Sequence, residues 1–181
     1  MSHVVIVGGT GYAGSHIAAE AVGRGHQVTS YSRSEPTDPI DGVDYRIGSL
    51  SDPDILSAVA HGARLGIVGG AASSLVHEGG PLLLDSPDFN EDWKPEARAG
   101  LATLEALRES RDDLRWFFVS PAALFGSYAP GETTGAYRTG GDVLVTKPDG
   151  SSEISGTDFA LAFVDEIDRA AHPNQRFTVG H

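Results

Sequence analysis

Apolar and polar positions alternate between two periods along this chain. The run Val4-Val5-Ile6-Val7 is continuous and β-branched, as in a strand buried on both faces. It flows into Gly8, Gly11 and Gly14. Beyond them, Ile17, Ala18, Ala21 and Val22 share one helical face. Gln27–Tyr31, Tyr45–Ile47, Arg64–Val68, Leu114–Val119, Asp142–Thr146 and Arg176–Val179 read as further strands. Ser51-Asp52-Pro53-Asp54 reads as a helix start, with Ile55, Leu56 and Val59 on its buried side. Pro95 suits the first turn of a helix carrying Ala97, Leu101, Leu104 and Leu107. Thr157 or Asp158 caps a last helix carrying Ala160, Phe163, Val164 and Ile167. Loops are expected over 35–44, 78–92 and 126–141. Strands alternating with helices predict an α/β, Rossmann-like domain, with a mostly parallel sheet and helices on both faces.

The glycine spacing adds chemistry to that pattern. The first glycine permits a tight turn, the second lets backbone approach a phosphate, and the third lets helix and strand pack closely. A dinucleotide pyrophosphate would sit on free N–H groups at the helix start.

Composition narrows the setting. The 181 residues suit one domain over 1–181. With no cysteine, thiolate metal sites and disulfides are excluded, and a reducing compartment fits. No basic leader or membrane-length apolar run is visible, so a cytoplasmic protein is expected. A net charge of −12 argues against a nucleic-acid surface. The expected partner is a small-molecule substrate, with the chain a monomer or homodimer. The acids Asp85, Asp88, Glu91 and Asp92 lack Ca²⁺-loop spacing, so no metal site is assigned.

Val7-Gly8-Gly9-Thr10-Gly11-Tyr12-Ala13-Gly14, Val68-Gly69-Gly70-Ala71-Ala72-Ser73, Ser120-Pro121-Ala122-Ala123-Leu124-Phe125 and Pro130–Arg138 together resemble the atypical short-chain dehydrogenase/reductases. The nearest group is the NmrA-like NAD(P)H-binding proteins, which include NADH-flavin reductases and NAD-dependent epimerase/dehydratases. The resemblance implies a nicotinamide cofactor held by Gly8, Thr10, Gly11, Tyr12, Ala13, Gly14, Ser32, Arg33, Ser49, Leu50, Gly70, Ser120 and Pro121. It does not imply a substrate. Three departures stand out. Between Ala60 and Leu65 the family carries a further strand and helix, roughly thirty residues; a βα segment absent near 61–63 would leave apolar sheet edges open. An expectation follows that further residues belong there. Gly48 is followed by Ser49 rather than an acid, and the loop Gly126–Ala129 is longer than usual.

Arg33 lies just past the second strand, with no acid before Glu35. An arginine there accommodates a 2′-phosphate, so NADP(H) is expected in preference to NAD(H). No Tyr-x-x-x-Lys pair exists in the chain. Flavin reduction needs none, because hydride passes between two cofactor rings. Ser73 and His77 are the catalytic candidates, against readings as a loop-capping hydroxyl and a surface histidine. Tyr128 and Tyr137 are candidates to cover a planar substrate, or packing aromatics. The expected function is an NAD(P)H-dependent oxidoreductase reducing a flavin or small quinone-like acceptor. The alternatives are a non-catalytic nicotinamide redox sensor and a sugar-nucleotide epimerase or dehydratase.

Overall fold

The computed structural model describes residues 1–53, 55, 57 and 62–181. Strand β1 (His3–Val7) pairs in parallel with β2 (Gln27–Ser32), and β2 with β3 (Val43–Ile47). Helix α1 (Tyr12–Gly23) makes the first crossover. A second sheet has the order β4-β5-β7-β6: β4 (Leu65–Val68), β5 (Trp116–Ser120), β6 (Arg138–Gly140) and β7 (Gln175–Gly180). Its strands are parallel except at the β6–β7 edge.

Strand β5 shows why helices cover both faces. Trp116 and Phe118 point to one side, where Leu104 and Leu107 of helix α2 (Lys94–Arg108) meet them with Leu65 and Ile67. Phe117 and Val119 point to the other, into a core shared with Ile17, Ala18 and Ala21 of α1 and Phe159, Phe163 and Val164 of helix α3 (Gly156–Arg169). A strand buried on both faces needs a continuous apolar run, which is how the sequence reads.

Several elements differ from the sequence reading. Helix α1 begins at Tyr12, so Gly14 lies inside its first turn. The strand expected over Asp142–Thr146 is absent. Arg138–Gly140, read as loop, takes the free edge of β7 instead, while Val143 and Leu144 meet Leu75. The cap of α3 is Ser155: its Oγ accepts the Asp158 N–H at 3.0 Å. Asp158 is turned away to accept the N–H groups of Thr134 and Gly135. The excursion over 78–92 contains short 3₁₀ turns at Leu83–Asp85 and, running on, Glu91–Trp93. In the helix expected from Ser51, Ile55 is buried, whereas Asp54, Leu56 and Val59 lie outside the described residues, as do Ala60 and His61.

The strand at Leu65 does not join the first three. Among the described residues β1 and β4 exchange no ladder bonds, and the strands divide between two sheets. Val5 and Val7 of β1 and Val68 of β4 are 40%, 37% and 40% exposed, unusual for central Rossmann strands.

Candidate dinucleotide site

At the C-terminal end of β1 the chain reverses at Gly8, whose φ of +87° favours glycine. The Gly8 N–H still bonds the Tyr31 carbonyl, and its own carbonyl accepts the Gly11 N–H at 3.0 Å. Gly14 is required by packing: a Cβ there would lie 2.3 Å from the Gly8 carbonyl oxygen. Gly9 faces Ser30, where a Cβ would lie 2.3 Å from Oγ. Gly11 differs. It caps α1 at φ −80°, and a Cβ would meet only the Gly8 carbonyl oxygen at 3.3 Å. The fold therefore admits a Cβ at Gly11 with a shift of a few tenths of an ångström.

The Ser15 N–H returns to the Gly11 carbonyl and starts the helical ladder. The N–H groups of Tyr12, Ala13 and Gly14 precede it and have no helical acceptor. No acidic side chain occupies this first turn. Open donors and the positive end of a helix dipole form an anion cradle. The Tyr12 side chain has another task. Its hydroxyl accepts the Gly156 N–H at 3.0 Å, and its ring packs edge-on against Phe125 and His16. It ties the glycine turn to the start of α3. His16 lies partly under that layer, and burial holds its pKa below the ordinary imidazole value.

The ends of β2 and β3 come together beside the turn. The Gly48 N–H donates to the buried Ser32 carbonyl at 3.0 Å, which sets Ser49 and Leu50 next to Ser32 and Arg33. Arg33 is exposed and has no ion pair or hydrogen bond among the described residues. Ile47 and Leu50 are 65% and 67% exposed, an apolar pair at the strand end. An open cavity of about 520 Å³ lies beside the turn, lined by Thr10, Ser15, His16, Ser34, Glu35 and Asp38 among others.

The ends of β4 and β5 carry the remaining candidate residues, none of which lines that cavity. Gly70 is open, with nothing within 4 Å of its Cβ position. Ser73 is buried and its Oγ donates to the Gly70 carbonyl at 3.2 Å. His77 is exposed on a hairpin closed by the Leu75–Leu82 bridge, with Nδ1 3.1 Å from the Glu78 carbonyl oxygen. Ser120 and Pro121 are buried at the end of β5, and the Ser120 Oγ has no partner among the described residues. Tyr128 is exposed. Tyr137 is partly buried and donates to Asp165 at 2.6 Å. Burial and that bond push its phenol up to about 12.

Arg176 carried no signal in the sequence. It sits on β7 with its side chain only 2% exposed. Nη2 donates to the Ser73 carbonyl at 2.7 Å and Nη1 to the Ser74 Oγ at 3.3 Å, fixing the loop after β4. Burial lowers its pKa, with Asp142 opposing. Among the described residues no group of His, Asp and Glu could hold a metal, and no helix is long and apolar enough to cross a membrane.

The fold recurs in known proteins. The uncharacterized protein YwnB of Bacillus subtilis is 33% identical over 207 residues, covering 96% of each chain. A candidate exported protein of Burkholderia pseudomallei superposes with a TM-score of 0.85 at 34% identity, over 100% of both chains. A candidate NADH-flavin reductase of Streptococcus pneumoniae does so at 0.80 and 31% identity, over 100% of this chain and 99% of that one. Residues 4–141, from the first strand through the glycine turn to the loop beyond β6, match one family along that length, and the chain belongs to the NAD-dependent epimerase/dehydratase family.

Proposed function

We propose that this protein is an oxidoreductase that binds NADP(H) in preference to NAD(H) and passes hydride to a flavin or small quinone-like acceptor. The observation that carries the reading is the cradle at the start of α1: open N–H groups, no competing acid, and a Gly11 whose missing side chain the fold itself does not require. A dinucleotide pyrophosphate fits that cradle. Adenosine would lie toward Ile47, Leu50 and Arg33, whose unpaired guanidinium is free to take a 2′-phosphate. Glu35 and Asp38 on the cavity wall work against a phosphate on their side, so the phosphate would be held from the Arg33 side.

When bound, the nicotinamide supplies hydride chemistry. The chain's own residues bind and orient. The loop from Gly70 to Ser74, which Arg176 holds, would lie beside the ring, with the buried Ser120 hydroxyl at the neighbouring strand end. The buried Ser73 hydroxyl bonds the loop itself, and exposed His77 is the remaining candidate to relay a proton. The absence of a Tyr-x-x-x-Lys pair favours an acceptor that needs no tyrosine acid, and the Streptococcus pneumoniae neighbour supports a flavin. The test is NADPH oxidation followed at 340 nm with and without added FMN. Turnover that depends on flavin supports the reading; tight NADPH binding without turnover on any flavin or quinone would replace it with that of a redox-sensing binder.

A further inference from the structure

We propose that the cleft between the end of α2, the Gly141-Asp142 corner and the start of β7 binds a small phosphate, held between the guanidinium groups of Arg108 and Arg176.

The cleft shares no lining residue with the cavity beside the glycine turn. Arg108, Trp116, Asp142, Asn174 and Arg176 are among its walls, and its volume is about 260 Å³. Pockets for drug-sized ligands run from about 300 to 1,000 Å³, so this one suits an ion or a small end group.

One wall is a buried cation whose donors are not all used. The Arg176 Nη groups are committed to Ser73, Ser74 and, at 3.4 Å, the Gly141 carbonyl, all neutral acceptors. The Nε N–H has no hydrogen-bond partner among the described residues. Asp142 Oδ1 lies 3.1 Å from Nε, an ion pair without hydrogen-bond geometry. The same oxygen accepts the Arg108 Nη2 at 2.8 Å. One carboxylate oxygen thus serves two guanidiniums, and the cleft keeps an excess positive charge.

That excess is costly at Arg176, because a buried cation needs both a counter-charge and satisfied donors. Burial lowers the Arg176 pKa, Asp142 opposes the fall, and Arg108 adds to it; the pKa stays below the ordinary guanidinium value. Asp142 therefore under-compensates its partner. Its backbone is fixed, since its carbonyl accepts the Leu75 N–H at 2.8 Å. Its side chain is about half exposed and is able to turn out to solvent. Two guanidiniums with Asp142 turned away carry two positive charges, which match a phosphate dianion in charge and in donor geometry.

The site bears on the loop after β4, because the same guanidinium holds Ser73 and Ser74. Phosphate on Nε would fix that guanidinium and slow opening of the loop. A consequence for turnover rests on the function proposed above; the phosphate site itself does not.

The probe is sodium phosphate at about pH 7.5, where the dianion predominates, with sodium chloride at equal ionic strength as the control. Two-dimensional NMR of the nitrogen-15-labelled full chain follows the arginine Nε–H signals. The expected result is a saturable shift of the Arg176 signal with phosphate and none with chloride, together with slower hydrogen exchange at Ser74. Arg108 and Asp142 are each about half exposed, so their variants should fold. Arg108→Gln should weaken phosphate binding at least tenfold. Asp142→Asn removes the competing carboxylate and should tighten it at least threefold. A purely structural ion pair gives the opposite result: no saturable shift at Arg176 in the parent, or no gain in Asp142→Asn, and either overturns the proposal. Methyl phosphate identifies the source. Binding as tight as that of inorganic phosphate assigns the site to the end group of a phosphate monoester, and binding of inorganic phosphate alone assigns it to the free ion. The titration uses no cofactor; NADPH turnover unmoved by saturating phosphate would fault the role given to the loop and leave the site standing.

Discussion

Replacing Gly11 by valine separates the ligand's need for glycine from the fold's. Gly11 has φ −80° and ψ 169°, an extended conformation that valine adopts readily. The added Cβ would lie 3.3 Å from the Gly8 carbonyl oxygen, a contact relieved by a shift of a few tenths of an ångström. Stability should therefore change by no more than about 1 kcal/mol. The cradle is affected differently, because the side chain projects where phosphate would approach the N–H groups of Tyr12–Gly14. Losing two charge-assisted hydrogen bonds costs roughly 3–6 kcal/mol, a fall in NADPH affinity of at least about a hundredfold. Gly14→Ala is the contrasting change. Its Cβ would meet backbone atoms at 2.3 and 2.8 Å, so it should lower the unfolding midpoint outright. Urea denaturation and calorimetric titration of both variants decide the matter. A folded Gly11→Val protein that binds NADPH as tightly as the parent would refute the phosphate assignment.

Arg33→Ala should lower NADPH affinity roughly tenfold or more, one charge-assisted contact, and leave NADH affinity unchanged; equal titration curves for both cofactors in the parent protein would remove the basis for the preference. Arg176→Met should destabilise the fold by about 3 kcal/mol in urea, and nitrogen-15 chemical shifts at Ser73 and Ser74 should move with it; an unaltered loop would show that Arg176 does not hold it. Burial opposes ionisation of Asp165, but the Tyr137 hydroxyl and Arg24 outweigh it and hold its carboxyl below the usual range. A carboxyl depressed in the folded state stabilises above its unfolded pKa of about 3.9 and loses that contribution as pH falls through the folded value. The melting-temperature gap between parent and Asp165→Asn should accordingly be constant from pH 7 to about 5 and narrow as pH falls below about 4; a gap that widens there contradicts the assignment.

Strand and helix periods made most of the architecture legible. Leu114–Val119 reads as a strand and Trp116–Ser120 forms one, and the spacing of Leu101, Leu104 and Leu107 placed α2 within a few residues. Errors fall where tertiary contacts override local pattern. Val143–Val145 is as apolar as a strand, yet Leu75 claims Val143 and Leu144, while the polar Arg138–Gly140 takes the edge. At α3 a local signal was overlooked: Ser155 and Asp158 have the Ser-x-x-Asp spacing of a helix cap, and Ser155 is the cap, while the Asp158 carboxylate serves Thr134, Gly135 and His181.

The candidate site divides along the same line. Its adenosine and pyrophosphate half is built from neighbours in sequence: Gly8, Gly11 and Gly14 on one turn, Ser32 and Arg33 at one strand end. Such a half can be read from spacing, because the backbone itself supplies the donors. The half proposed for the nicotinamide, and the tie between the glycine turn and α3, rest on contacts over long separations. Arg176 reaches Ser73 across 103 positions, and Tyr12 reaches Gly156 across 144. Arg176 looks in sequence like any charged strand residue, and only its burial reveals a clamp. The divided sheet lies between these halves. On the proposed reading the phosphate cradle and the loop that would position the ring are built from different elements, so cofactor affinity and hydride transfer need not rise or fall together. A variant that weakens the Arg176 clamp should accordingly depress turnover more than NADPH binding, whereas Gly11→Val should abolish both.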